Sequence, residues 1–262
     1  MDWSLSRAII TGGASGLGQA VAQQIIQADG QLAILDKNPA AAQSFLNNQQ
    51  ADKEKVRIVI ETDVCSDESV KKAVSIAKQE LGHINLLVNC AGIVMGKKML
   101  STHNPLDMQS FQKLLNINLY GTYRLCQSVA GVMQHNPEQG KYNERGIIIN
   151  TASIAAYEGQ IGQIAYSASK GAIISMTLPM SRELAPFGIR VMCIAPGLFN
   201  TQLMAELPAE LKQQLSEHIL FPKQLGNPKA FASLVQAIVE NPFLNGSVIR
   251  LDAGLRMPGK SN

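Results

Sequence analysis

The chain predicts a single α/β domain over residues 1–262, a doubly wound parallel sheet of about seven strands with helices on both faces. Three features carry that expectation. Short aliphatic runs alternate with longer amphipathic ones along the whole length. The aliphatic runs are apolar throughout rather than at every second residue, so both faces of each strand should be covered. No Ser/Gly linker, internal repeat or low-complexity tract interrupts the series.

Taken in order, the first strand is expected at Arg7–Ile10 and the first helix at Gly16–Ala28. Gln31–Leu35 reads as the next strand and Pro39–Gln50 as a helix, with proline in the first turn, where its missing N–H has no partner to lose. Val56–Ile60, Ile84–Val88, Ile147–Asn150, Arg190–Ile194 and Ser247–Leu251 continue the strands. Helices are expected over Asp67–Leu81, Asp107–Met133, Ile161–Ala185 and Pro228–Val239. Right-handed crossovers between them make the sheet parallel. Residues 197–226 stand apart as a long segment with Pro208, Pro222 and a short helical pattern around Ala209–Glu217. Long loops in compact domains carry function more often than not. This one follows a strand on the side where ligands bind, so it is expected to be a substrate lid.

Composition narrows the class. Hydrophobic residues make up 46% and charged residues 16%, which suits a well-buried core. The formal charge of +3 gives no basis for nucleic-acid binding. Cys65, Cys90, Cys126 and Cys193 form neither a CxxC pair nor a Cys/His cluster, so they read as free thiols and no metal site is expected. The opening MDWSLSRAIITGG lacks a basic stretch followed by an apolar one, and no run reaches the roughly 18 apolar residues of a spanning helix. A soluble, cytoplasmic protein without a membrane partner is expected.

The chemistry concentrates in two places. Thr11-Gly12-Gly13-Ala14-Ser15-Gly16-Leu17-Gly18 lies between the first strand and the first helix. Gly12 suits a tight turn, Gly16 a close backbone approach to a pyrophosphate, and Gly18 close helix–sheet packing. The helix start adds free N–H groups and a favourable dipole for an anion. Asp36 ends the second strand, where a carboxylate would accept from adenosine ribose hydroxyls and repel a 2′-phosphate. NAD is therefore expected as cofactor rather than NADP, although the adjacent Lys37 pulls the other way.

The second place is Ser153, Tyr166 and Lys170. Tyr166 and Lys170 are one helical turn apart and share a face. A phenol near pKa ~10 is too weak an acid to work as a base at neutral pH. A cation at about 4 Å and an effective dielectric of about 20 contributes roughly 4 kcal/mol, which could lower the phenol by up to ~3 units. Such a pair suits a general base that removes an alcohol proton during hydride transfer.

With these residues in view, the chain resembles the short-chain dehydrogenase/reductase family. The resemblance rests on Thr11–Gly18, Asn89-Cys90-Ala91-Gly92, Asn118, Ser153, Tyr166 with Lys170, and Pro196-Gly197, in order along essentially the whole chain. Within the family, Gly146–Ser153, Tyr166–Gly171, Ile194–Phe199 and Asn241–Gly246 are similar to the type 2 3-hydroxyacyl-CoA dehydrogenases, a group that includes multi-substrate hydroxysteroid dehydrogenases. The resemblance implies a single-domain Rossmann fold and NAD-dependent oxidation of a secondary alcohol. The implied substrate is a (3S)-3-hydroxyacyl-CoA, oxidised to the 3-oxo compound. Hydroxysteroids, short-chain alcohols and a 3-oxoacyl-carrier-protein reduction stand as alternatives. A non-catalytic NAD-binding scaffold is disfavoured, because both Tyr166 and Lys170 are present.

Roles carried over by the resemblance are these. Ser153 would hold the substrate oxygen and Tyr166 would exchange its proton. Lys170 would bind the nicotinamide ribose, and Asn118 would position a water linked to Lys170. Asp63 and Val64 would flank the adenine. Ser15, Leu17, Cys90, Ala91, Gly92 and Phe199 would line the dinucleotide, with Thr201 near the carboxamide. A homotetramer joined through the two long helices and the last strand is implied as well. Met95–Asn104 is shorter than in mitochondrial relatives and borders the substrate mouth, which leaves acyl-chain and steroid preference open. Lys97 and Lys98 there are candidates for contact with CoA phosphates.

Overall fold

The computed structural model describes residues 1–49, 55–201, 204 and 216–259. Seven strands form one sheet: β1 (Arg7–Thr11), β2 (Gln31–Asp36), β3 (Arg57–Glu61), β4 (Leu86–Asn89), β5 (Gly146–Thr151), β6 (Ile189–Pro196) and β7 (Val248–Leu251). Their order is β3-β2-β1-β4-β5-β6-β7, with every neighbouring pair parallel. The connections after the neighbouring strands β1 and β4 run in opposite directions, from β1 out to β2 and from β4 out to β5. This is the switch point at which doubly wound sheets open a crevice.

Alternation along the strands sorts side chains into two layers. Ala8 and Ile10 of β1, Leu32 and Ile34 of β2, and Ile147 and Ile149 of β5 pack against α1 (Gly16–Gln27) and the C-terminal helix Pro228–Glu240. Ile9, Ala33, Leu35 and Ile148 point the other way. They meet α3 (Asp67–Leu81) and α5 (Gly121–Met133). Full burial of one such aliphatic side chain stabilises the fold by roughly 1.5–3 kcal/mol. A sheet apolar on both faces is thus the rigid frame that carries the loops at its C-terminal edge. No helix among the described residues is long and apolar enough to cross a membrane.

Several expected boundaries move, for local reasons. The helix expected over Asp107–Met133 is three pieces: α4 (Met108–Leu115), a π turn at Asn116–Tyr120, and α5. A π turn holds one extra residue without changing polarity, so the amphipathic pattern does not reveal it. The helix expected from Ile161 begins at Ile164 as α6 (Ile164–Leu184), because Gly162 sits at φ +91°, outside the helical region. It then runs on through Pro179. The strand expected from Ile84 starts at Leu86, since the side chain of Asn85 accepts from Arg7 N–H and donates to Leu5 O. α2 (Pro39–Asn47) ends short of Gln50, which lies outside the described residues. The expected lid falls partly there too, with residues 202–203 and 205–215 and most of the Ala209–Glu217 pattern. The C-terminal helix, α7, matches its expected start at Pro228.

Candidate active site

The crevice is built where β1 and β4 end. Gly12 leaves β1 at φ +65°, and a methyl on it would sit 2.9 Å from the Ala91 backbone, so the two turns can meet only over a glycine. Thr11 Oγ1 closes the junction by accepting the N–H groups of Cys90 and Ala91, each at 3.1 Å. At the end of β2, Asp36 accepts from Ala14 N–H at 3.0 Å and from Asn38 N–H at 2.9 Å. The carboxylate thus holds the glycine-rich loop as well as facing the crevice. The N-caps of α2, α3, α4 and α7 (Asn38, Ser66, Asp107 and Asn227) all accept a first-turn N–H through their side chains. Ser15, capping α1, makes no such bond, which leaves that helix start available to an anion.

Two cavities meet at this point. One, of about 460 Å³, lies along the glycine-rich loop and holds Gly12, Ser15, Gly16, Leu17 and Gly18 on one side. Asp36, Asp63, Val64, Ala91 and Gly92 close its other side. The second, of about 380 Å³, holds Ser153, Tyr166, Lys170 and Phe199. Leu17, Cys90, Gly92, Ile93 and Thr201 belong to both, so the two form one continuous groove. The donor set and the uncapped helix start fit a dinucleotide in the first cavity.

Ser153 follows β5 and caps a short 3₁₀ turn, Ile154–Ala156, its Oγ accepting from Ala155 N–H at 3.1 Å. Tyr166 and Lys170 occupy the first turns of α6. The Lys170 ammonium is buried, donates to Thr151 O at 2.8 Å and lies 5.9 Å from the Tyr166 ring centre. Burial lowers its pKa to about 8. Asn118 lies in the π turn beneath the groove, fully buried. Its amide accepts from Ile93 N–H (2.8 Å) and donates to Ile93 O (2.9 Å) and Ser169 Oγ (3.2 Å).

A family model described as short chain dehydrogenase matches residues 6–212. The chain belongs to the short-chain dehydrogenase family. It is 48% identical over 260 residues to 3-hydroxyacyl-CoA dehydrogenase type-2 of Homo sapiens, covering 95% of each chain. The Drosophila melanogaster protein of the same name is 44% identical over 251 residues, 95% of this chain and 96% of the relative. The crystal structure of 3-hydroxyacyl-CoA dehydrogenase type-2 from Mycobacterium avium matches with TM-score 0.89 and 33% identity, over 99% and 98% of the two chains. A 7α-hydroxysteroid dehydrogenase complexed with NADH and 7-oxo glycochenodeoxycholic acid matches at TM-score 0.85 and 25% identity, over 97% and 95%.

As a member of this family the chain is an oxidoreductase served by a nicotinamide dinucleotide. With protein groups alone around it, the Tyr166 phenol is raised above its ordinary value, by burial first, with the Ser153 hydroxyl opposing. Desolvation acts on both the phenol and the Lys170 ammonium, against the lowering that the lysine charge alone would give. The Asn118 amide is engaged by Ile93 and Ser169, with one lone pair of its side-chain oxygen left over, and its main-chain oxygen accepts from Thr122 Oγ1 at 2.7 Å.

At the substrate mouth Lys97 is tied to Asp107 (3.1 Å) and Ser110 (2.8 Å), so it is no free charge for a phosphate, whereas Lys98 is exposed. Cys90 has its thiol pushed up to about 11 by burial, which suits a wall and not a nucleophile. Gln160 and Gln163, which line the second cavity, were not singled out by the sequence, and neither were the bonds of Thr11 and Thr151, which stand inside the Thr11–Gly18 and Gly146–Ser153 runs. The glutamines, in a polar run before α6, carried no signal that set them apart from a surface loop.

Proposed function

We propose that this short-chain dehydrogenase interconverts a 3-hydroxyacyl-CoA and its 3-oxo form, with NAD rather than NADP. The observation that carries the reading is the wall formed by Ser153, Tyr166 and Lys170 in a cavity continuous with the dinucleotide groove. The acyl-CoA class is supported by relatives of that name at 44–48% identity over nearly the full chain. Asp36 supports NAD, since its charge faces the groove where a 2′-phosphate would sit. Lys37 is the opposing charge, and its contact with Asp63 at 2.9 Å is exposed.

The nicotinamide dinucleotide, when bound, supplies the hydride acceptor for oxidation and the donor for reduction. The glycine-rich loop and the α1 N-terminus hold its phosphates, and Asp36 its adenosine ribose. In oxidation, the Ser153 hydroxyl donates to the substrate oxygen and fixes its position. Tyr166, as the phenolate, takes the alcohol proton as the carbon gives up hydride, and the resulting phenol returns it in the reverse direction. With a pKa of about 8, Lys170 keeps most of its charge at neutral pH and stabilises the phenolate form beside it. Ser153, Tyr166, Lys170 and Asn118 are thus assigned to catalysis, and the dinucleotide contacts are those expected above. We further assign a homotetramer joined through the helical segment Asp107–Met133, which comprises α4, the π turn and α5, together with α6 and β7.

The test is the absorbance of reduced nicotinamide with purified protein, acetoacetyl-CoA and either NADH or NADPH, beside Tyr166→Phe. Rapid oxidation of NADH alone, lost by at least a hundredfold in the variant, is the expected result. NADH that binds without being consumed would remove the acyl-CoA assignment.

A further inference from the structure

Away from the pocket walls, a group of charged side chains joins parts of the chain that the reaction must keep in register. Arg250 of β7 donates from Nη1 and Nη2 to the two carboxylate oxygens of Glu158, at 2.7 and 2.9 Å. Its Nε donates to Asp252 at 2.7 Å. Arg256 approaches the same two acids, at 3.2 Å from Asp252 and 3.5 Å from Glu158. The Arg250 guanidinium also lies 4.9 Å from the centre of the Tyr157 ring. Arg250 and Glu158 side chains are each 23% exposed, so their contact is shielded from most of the solvent. A two-pronged guanidinium–carboxylate contact fixes orientation as well as distance, which a lysine in the same place would not do.

Glu158 stands in the segment between Ser153 and Tyr166, the two residues assigned to the substrate oxygen. That segment is gripped from two sides. On the tail side, Ile161 N–H donates to Gly259 O at 2.9 Å and Gln160 Nε2 to Pro258 O at 3.2 Å. On the helix side, Gly159 lies so close to α6 that a Cβ there would fall 2.1 Å from Ser167 Oγ. Gln160 N–H then donates to Gln163 Oε1 at 3.0 Å, and both glutamines line the substrate cavity together with Met257 of the tail. The tail itself is anchored: Leu255 packs in one small core with Ile154 and Ile219, and Leu220 and Phe221 N–H groups donate to Ala253 O.

We propose that the Arg250–Glu158 pair is a positioning device for the reaction, clamping the Ser153–Tyr166 segment between the C-terminal tail and α6. The inference rests on the assignment of Ser153 and Tyr166 to the substrate oxygen. Neither Arg250 nor Glu158 lines either cavity. They act on the reacting atoms only through the segment they hold. Reactions of this kind are sensitive to such holding, because a misplacement of about 1 Å can lower a rate on the order of a hundredfold. The dinucleotide cavity, walled by the glycine-rich loop and Asp36, shares no side chain with the clamp. Loosening it should therefore act on turnover and leave cofactor binding alone.

The experiment compares wild type, Glu158→Gln and Glu158→Asp, using a ketone that the wild type reduces with NADH. Glu158→Gln keeps the shape and removes the charge, and kcat should fall at least tenfold while the Kd for NADH stays within twofold. Glu158→Asp keeps the charge on a shorter arm and should recover part of the loss. An unchanged kcat in Glu158→Gln overturns the proposal. So does a loss of NADH binding in proportion to kcat, because that marks a contact serving the fold as a whole. A wrong acyl-CoA assignment shows instead in the wild type, which would then spare acetoacetyl-CoA and reduce another ketone. A wild type that reduces no ketone overturns both readings.

Discussion

Asp36 has to serve two sets of donors with one carboxylate. Its oxygens already accept from Ala14 and Asn38 N–H, and each keeps a further lone pair for a ribose hydroxyl. Hydrogen bonds to a charged group contribute about 1.5–3 kcal/mol, or roughly ten- to a hundredfold in affinity. Asp36→Ala should therefore raise the Michaelis constant for NAD by on the order of tenfold and narrow the NAD-over-NADP preference. Comparing kcat/KM for the two cofactors checks it, and an unchanged ratio removes Asp36 from cofactor choice. Lys37 opposes the effect, since its pair with Asp63 is exposed and screened by solvent and holds the lysine only loosely. At this scale the sequence was informative wherever a motif fixed both residue and neighbour, as with Gly12 or Asp36. The Lys37–Asp63 pair was not legible, because it depends on β2 lying beside β3, with Asp36 opposite Glu61. Nor was the state of Tyr166, which turns on how deeply α6 seats it.

Elements follow the same division. The seven strands and the helices that cover them were readable because each buries a stripe or a run of aliphatic side chains. The π turn at Asn116–Tyr120 was hidden, and it carries Asn118. Its extra residue lets the Asn118 amide reach back to Ile93, which steadies the strand-end loop beside the groove. The neighbouring helices bear on assembly. Between α5 and α6 a groove of about 270 Å³ opens outward, bordered by Tyr123 and Phe187, which are 50% and 42% exposed. Large aromatic side chains left half in water on one face supply the anchors that subunit contacts use. For a homotetramer joined here, light scattering should give about four times the 28.3 kDa chain. Tyr123→Glu, placing a charge in that contact, should reduce the mass to that of a smaller species. A single-chain mass for the unaltered protein would dismiss the assembly.

Over the whole molecule, three of the perturbed acids gather at one end, while Asp2 lies ahead of β1. Asp63 follows β3, Asp107 precedes α4 after β4, and Glu158 follows β5, all on loops beyond the C-terminal edge of the sheet. Asp63 and Glu158 have carboxyls held below their ordinary values by Lys37 and Arg250 first. Asp107 is pushed down to about 2, by the Ser110 N–H first and then by Lys97. A carboxyl depressed in the folded chain binds protons more weakly than in the unfolded one. Its stabilisation is complete above the ordinary carboxyl range of about 4 and is lost as pH falls toward the folded value. Lys170 has the opposite sense: lowered to about 8, its buried charge weakens the fold below that pH, and the penalty is relieved as pH rises from 8 toward 10.5. The melting temperature should therefore be nearly level from about pH 5 to 7.5 and fall progressively below about 4.5. Because the affected pairs sit beside the groove and not in the sheet, acid should loosen the site before it melts the frame. Calorimetric titration with NAD and far-ultraviolet circular dichroism, both run from pH 7 down to 3, separate the two events. Binding lost at a higher pH than the helical signal is the expected order. A melting temperature as high at pH 3 as at pH 6, or binding that survives until the helices unfold, would mean that these pairs do not hold the site end of the molecule together.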